Sequence, residues 1–313
     1  MVISITMKHE ETPPHLALGI AISLIAYLFF VSASTIVWSF AGAFSTIQII
    51  FIQNIVSLLC ILPLTVIRKF PGFKTNVLST HLIRDLSGVI SYFLYFVAIR
   101  YLNLVDATIL NYTFPFFVPL LWWAWMKEKV GRNVWWSIIV GFIGVAVILN
   151  PSRQIFQLGF IFGLLAGIIS AVSVCSIRIL TLNREPSRRI LFYYFLVGSL
   201  LSFPFALIYW IPPTPIQWVK AIGIGVLTAS GQIFLNISYR YGTASYLSPL
   251  GYSTVIYAGL ISYFFFNQPL GMRSIIGTLL IFLGGTATYL LKKKPHSLAE
   301  TFQSPNPKEK PPL

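Results

Sequence analysis

An all-α polytopic membrane protein, with ten transmembrane helices arranged as two inverted five-helix repeats, is the fold class that this sequence predicts. Three observations carry the expectation. The first is composition: 56% of the 313 residues are hydrophobic and 10% are charged, against roughly 25% charged in a soluble domain, and the mean hydropathy is +0.79. The second is spacing, because apolar runs recur at the length of a bilayer crossing. The third is internal, since a shift of 140 residues superimposes the two halves of the chain. A net charge of +14 would suit nucleic acid only as a basic patch on a soluble face. Here the 22 Lys and Arg lie between apolar runs, so no nucleic-acid partner is expected.

A hydrocarbon core about 30 Å thick takes roughly 20 residues per helix. Residues 16–67 carry no charge, which is too long for one span and right for two. The break falls in the small, turn-prone stretch Ala41-Gly42-Ala43-Phe44-Ser45. The spans are therefore expected near 16–38, 46–67, 82–101, 105–126, 133–150, 157–180, 189–211, 217–239, 244–266 and 274–291. Short connections carry Pro71-Gly72, Gly131, Pro151, Pro186, Pro212-Pro213 and Pro269-Leu270-Gly271, residue types that punctuate helices.

Lys and Arg set the orientation. With the N-terminus inside, 18 of the 22 basic residues fall in inner segments, Arg84 and Arg189 among them. Only Arg100, Arg153, Lys220 and Arg273 fall outside. The expected location is the cytoplasmic (inner) membrane, multi-pass, with both termini cytoplasmic and lipid on all sides. The chain divides into an N-terminal segment 1–15, a first repeat 16–150, a second repeat 156–291, and a polar, Pro-rich tail 292–313 expected to be disordered. Glu10 and Glu11 precede the first span in place of the basic region of a signal peptide. Cys60 and Cys175 lie in different spans without metal-type spacing and read as packing residues.

The repeat pairs Gly19 with Gly159, Ala26 with Ala166, Arg100 with Arg240, Tyr101 with Tyr241, Tyr112 with Tyr252, Gly131 with Gly271 and Gly144 with Gly284. Five helices per repeat force the second copy to enter the membrane from the opposite side, a plan that places a binding site near the midplane between the repeats. Each repeat ends alike. In the first, Ala107 and Pro115 are followed by Lys127-Glu128-Lys129-Val130-Gly131, then by Gly141 and Gly144. In the second, Ala244 and Pro249 are followed by Asn267-Gln268-Pro269-Leu270-Gly271, then by Gly277 and Gly284. From about Leu16 to Leu291 the chain resembles the drug/metabolite transporter (DMT) superfamily, in its ten-helix EamA-type branch. Gln268 stands where that pattern has Glu, and Glu128 keeps it. The resemblance implies movement of small organic solutes by alternating access, without ATP hydrolysis. The stretch 84–95 followed by Val105-Asp106-Ala107-Thr108 is similar to the S-adenosylmethionine uptake branch of that superfamily.

Catalytic signatures are absent from the sequence. There is no GxxxxGK[ST] loop for phosphate, and His9, His15, His81 and His296 all lie away from span centres. No enzyme activity, cofactor or metal is expected. No acid falls at a helix centre: Asp85 reads as the partner of Arg84 at the inner end of the third span, and Asp106 as the N-cap of the fourth.

The midplane instead offers uncharged polar and aromatic side chains. Gly88, Tyr92, Tyr95 and Ile99 share a face of the third helix at three- and four-residue spacing. The fourth carries Asn111, Tyr112 and Pro115, the eighth Thr228, Gln232 and Asn236, the ninth Pro249, Tyr252, Ser253 and Tyr257. Ser34 and Trp38 lie on the first, Ser170 and Ser173 on the sixth. A lone Ser is commonly interhelical glue, whereas amides and phenols in lipid need a cavity or a partner helix. Pro115, Pro119 and Pro249 remove backbone donors and are expected to kink their helices. The expected substrate-binding set is Tyr92, Tyr95, Asn111, Tyr112, Gln232, Asn236, Tyr252, Tyr257, Ser34 and Trp38. The expected function is a secondary transmembrane transporter of a small organic metabolite: an amino acid or derivative, or a nucleoside-like solute such as S-adenosylmethionine. The alternative is a passive channel or facilitator for small polar solutes. The expected partners are a small-molecule substrate and membrane lipids, with a homodimer left open.

Overall fold

The computed structural model describes residues 16–40, 44–67, 72–126, 158–238, 247–267 and 271–290, with scattered positions between 136 and 147 and at 241. The expectations for segment 1–15, for the Lys127–Gly131 and Gln268–Leu270 motifs, for most of the span 133–150 and for the tail lie outside the described residues. Every element among the described residues is helical. The helices are α1 (Leu16–Ser39), α2 (Thr46–Ile67), α3 (Leu78–Tyr101), α4 (Leu104–Asn111) and α5 (Phe114–Met126) in the first half. The second half holds α6 (Leu158–Leu182), α7 (Ser187–Ile208), α8 (Pro215–Ser238), a 3-10 turn (Ser248–Tyr252), α9 (Ser253–Phe266) and α10 (Met272–Leu290).

Six of these, α1, α2, α3, α6, α7 and α8, are long and apolar enough to cross a membrane. At 24 residues, α3 reaches about 36 Å at 1.5 Å per residue. The side chains sort as lipid requires. On α1, Leu18, Ile25 and Leu28 face outward while Ser23, Ala26, Tyr27 and Ser34 are buried. On α7, Leu200, Phe203 and Leu207 face outward while Ser199 and Ser202 are buried. Polar groups inside and apolar groups outside reverse the order found in water.

The packing repeats with the sequence. Helix α3 lies along α6 and α1 along α8, and the 140-residue offset carries one pair onto the other. A Cβ on Gly19 would meet the Tyr241 Cβ at 3.1 Å, and one on Gly159 would meet the Tyr101 Cβ at 2.7 Å, so equivalent glycines seat equivalent tyrosines. Helix α2 packs against α7 and α8. Its Ser57 hydroxyl donates to the Gly225 carbonyl at 2.8 Å. Its Gln48 amide donates to the Ile211 carbonyl at 2.7 Å and accepts from the Ile211 N–H at 3.1 Å.

Three expectations are corrected here. Helix α3 begins at Leu78, so Arg84 and Asp85 lie nearly two turns inside it, 2% and 0% exposed, instead of at its end. The N-cap of α4 is Asn103, whose side chain accepts from the Asp106 N–H at 2.8 Å. Asp106 sits three residues on, accepting from the Asn103 amide at 2.8 Å and from the Ser274 hydroxyl of α10 at 3.0 Å. This reciprocal pair follows the logic of a capping box, and the acid also ties α4 to α10.

The third correction concerns the fourth span, which is broken and not merely kinked. Helix α4 stops at Asn111 and α5 starts at Phe114, which puts Pro115 in a first turn, where its missing N–H would have no intrahelical partner anyway. The carbonyl freed at Leu110 accepts from the Thr113 hydroxyl at 2.7 Å and the Thr113 N–H at 3.2 Å. Across the break lies Gly167 of α6, whose missing Cβ leaves room for that carbonyl and hydroxyl. In the second repeat the equivalent place is the passage from the 3-10 turn into α9 at Tyr252–Ser253, where the Thr254 hydroxyl donates to the Gly251 carbonyl at 2.5 Å.

Gly167→Ala would set a methyl 2.4 Å from the Thr113 Oγ1 and 2.7 Å from the Leu110 oxygen. It is expected to destabilise the protein by about 1–3 kcal/mol. Gly223→Ala, with only the Ile36 Cδ1 near at 3.6 Å, is expected to be neutral or to stabilise by up to about 1 kcal/mol, Ala being the better helix former. Paired thermal melts in detergent check both.

Candidate functional site

A cavity of about 110 Å³ lies at the heart of the bundle, between elements of both repeats. Tyr27 and Phe30 of α1 line it, with Arg84, Gly88, Ser91, Tyr92 and Tyr95 of α3. Asn111, Tyr112 and Phe114 come from the break in the fourth span, and Ser170, Ser173, Val174 and Ile177 from α6. Tyr194 of α7 and Gln232 and Leu235 of α8 complete the wall. The volume suits a solute of amino-acid size, since drug-sized ligands occupy pockets of roughly 300–1,000 Å³.

Hydroxyl and amide groups fix the wall. The Ser91 hydroxyl donates to the Ala166 carbonyl at 3.0 Å and shares a 2.6 Å hydrogen bond with the Ser170 hydroxyl. The Ser170 hydroxyl lies 3.4 Å from the Asn111 Oδ1. The Tyr95 and Thr108 hydroxyls are 2.9 Å apart, and the Ser173 hydroxyl donates to the Arg84 carbonyl at 3.2 Å. The Tyr92 hydroxyl lies beside the Gln232 amide. These two residues are 140 apart, so the repeat brings its own equivalent positions face to face. Rings of Tyr27 and Tyr112 meet edge-on at 6.1 Å.

Of the ten residues the sequence singles out, the structure gathers five on the cavity: Tyr92, Tyr95, Asn111, Tyr112 and Gln232. The other five lie off its wall. Asn236 turns its amide back to the Gln232 carbonyl at 2.9 Å. Ser34 donates to the Phe30 carbonyl at 3.0 Å and lies beside Tyr95. Trp38 packs on Phe266 with ring centroids 4.4 Å apart, and Tyr257 packs against the apolar core. Tyr252 is buried with its ring 6.1 Å from that of Phe116.

Arg84 is the charged lining residue that sequence reasoning missed. Counting each charge as a loop marker placed it at the membrane surface. Yet 84, 88, 91 and 95 form one stripe at helical spacing, and that signal was available. Its guanidinium carbon sits 3.6 Å from the centroid of the Tyr194 ring, and a Cβ on Gly88 would come within 2.7 Å of that ring. The glycine therefore admits the tyrosine that carries the arginine.

One turn before Arg84, the end of the bundle is tied by Glu185. Its carboxylate accepts from the Thr75 hydroxyl at 2.6 Å and the Arg189 guanidinium at 2.8 Å, with the His81 Nε2 at 3.5 Å. The Arg189 Nε donates to the Gly72 carbonyl at 2.9 Å, and the Tyr193 hydroxyl to the Phe73 carbonyl at 2.7 Å. These bonds join the segment before α3 to the start of α7. At the opposite end the Arg100 guanidinium donates to the Phe44 carbonyl.

The EamA-like transporter family model matches this chain twice, over residues 16–150 and 157–290. The chain belongs to the EamA-like transporter family. It is similar to the pseudopaline exporter CntI of Pseudomonas aeruginosa, 25% identical over 280 residues that cover 88% of this chain and 97% of the relative. An S-adenosylmethionine uptake transporter of Rickettsia prowazekii is 23% identical over 237 residues, covering 75% of this chain and 79% of its own length. A solved crystal structure superimposes with a TM-score of 0.63 over 88% of this chain and 97% of its own, at 16% identity, and shares the fold. The protein is thus a multi-pass membrane transporter of small metabolites, built from two EamA repeats.

Burial works to raise the Glu185 carboxyl, but the Thr75 hydroxyl, Arg189 and His81 together hold it below the ordinary carboxylate range. A group held low in the folded protein stabilises it at neutral pH, and that contribution is lost as pH falls through its folded value. Glu185→Gln is expected to lower stability at pH 7 by about 1–3 kcal/mol. The gap from wild type should close as pH drops below about 4, read from melting curves across a pH series.

Proposed function

We propose that the central cavity is the substrate site of a secondary carrier working by alternating access, and that its solute is an amino acid or a compact relative of one. The observation that carries this reading is the broken fourth span at the cavity. The fourth span is interrupted at 112–113 and opens onto the cavity through Asn111, Tyr112 and Phe114, while at the equivalent place the ninth passes from a 3-10 turn into α9 without a gap. In inverted-repeat carriers, midplane sites are typically formed at discontinuous helices. Tyr92, Tyr95, Asn111, Tyr112 and Gln232 supply phenol and amide groups that hydrogen-bond a polar solute, and the rings of Tyr27 and Phe30 offer faces for stacking. Ser34 and Asn236 act behind this wall, as supports. A nucleoside-sized solute such as S-adenosylmethionine, the cargo named for the Rickettsia relative, requires the cavity to widen.

The membrane is the cytoplasmic one, with both termini inside. The described chain begins at the end of the bundle that carries Glu185, and the connections before α3 and α7 return to that end. Lys74, Arg184, Arg188 and Arg189 lie there, as the excess of Lys and Arg on inner loops requires.

Reconstituted protein is expected to show saturable counterflow with labelled L-phenylalanine or L-methionine. Tyr112→Ala and Gln232→Leu should each reduce it about tenfold, as loss of a hydrogen bond worth about 1.4 kcal/mol implies. Tyr257→Phe, off the wall, should stay within about twofold of wild type on the same scale. Flux without counterflow or saturation would instead identify a channel.

A further inference from the structure

Among the described residues, Arg84 is the one charged side chain that lines the cavity. It is 2% exposed, and a guanidinium withdrawn from water needs partners for five donors. Those present are incomplete. The Tyr194 ring stacks on one face at 3.6 Å and its hydroxyl lies beside the guanidinium. The Asp85 Oδ1 lies 3.6 Å from the Nη1, beyond hydrogen-bonding distance, and Asp85 is not on the cavity wall. The Nε and Nη1 donate to nothing.

The second repeat serves as an internal control. The residue 140 positions on is Ile224, 0% exposed, and the equivalent of Asp85 is Gly225. The same architecture is therefore built there without charge, so the fold does not demand a cation at this place. A desolvated arginine with unused donors, facing a cavity rich in hydroxyls and amides, is arranged to meet an anion brought in by the solute.

We infer that Arg84 anchors the carboxylate of the transported solute, which makes the substrate a small carboxylate-bearing metabolite of the amino-acid type. This rests on the cavity being the carrier's substrate site. A planar fork of N–H donors matches a carboxylate. The Arg84 and Asp85 charges cancel, so a solute that brings an ammonium with its carboxylate keeps the balance, whereas a phosphate dianion finds no second cation among the described lining residues. The Ser91, Ser170 and Tyr92 hydroxyls and the Asn111 and Gln232 amides remain for the rest of the solute.

The test uses acid and amide pairs, L-phenylalanine against L-phenylalaninamide and L-methionine against L-methioninamide, as competitors of counterflow in proteoliposomes. Wild type is expected to prefer each acid by about tenfold or more, the scale of a charge-assisted pair of hydrogen bonds. Arg84→Gln should bring that ratio to within about twofold of unity while the amides still compete, with Arg84→Lys between the two. The double variant Arg84→Ile with Asp85→Asn removes both charges at once, as the second repeat does, and should give the same loss of preference if Arg84→Gln fails to fold. An acid preference that survives in these variants, or none in wild type, overturns the anchor and leaves the carrier standing. Absence of counterflow with every probe overturns both.

Discussion

Hydrocarbon offers no water to accept a backbone hydrogen bond, so a helix that breaks inside the membrane must be repaired from within the protein. The break at Tyr112–Thr113 shows how this chain meets that constraint. The Thr113 hydroxyl returns to the Leu110 carbonyl, and Gly167 lets α6 approach the exposed backbone closely enough to exclude lipid. The cavity depends on this repair. With the span unbroken, Asn111, Tyr112 and Phe114 would follow one another around a regular helix and would not present three side chains to one wall.

The spans and the repeat were legible because each rests on a long-range regularity: crossing length for the spans, one offset held over the whole chain for the repeat. The wall of the cavity was half legible. Stripe logic on α3 found Tyr92 and Tyr95, and on α8 it found Gln232. It failed at Asn236, where the carbonyl one turn back captures the amide. Tyr252 was misplaced for another reason. Repeat symmetry relates positions in the chain but does not make both repeats line one cavity equally, and Tyr252 lies against Phe116 instead. Arg84 escapes because a charge reads as the edge of a span, whereas α3 starts six residues earlier.

The departures from symmetry are as informative as the symmetry. Tyr92 faces Gln232 at equivalent positions, one phenol and one amide, so a solute between them meets different chemistry on each side. Arg84 against Ile224 makes the same point with charge. A carrier built of two identical halves would offer a solute two equivalent poses. These substitutions remove that equivalence and concentrate the distinction on α3.

Helix α3 thus joins the cavity to contacts at both ends of the bundle. Its first turns carry His81 beside Glu185, its middle carries the cavity wall, and its last turn carries Arg100 on the Phe44 carbonyl. In a carrier that opens one end at a time, these end contacts have to exchange. Glu185 joins the segment before α3 to the start of α7, while the contacts near Asp106 and Gln48 join α4 to α10 and α2 to the end of α7. A tilt of α3 relative to α6 and α7 would strain the first set and spare the second. Arg84 stacks on Tyr194 of α7 one turn from that latch, so on the proposed reading a solute that reorients the guanidinium would act directly on the interface that has to part.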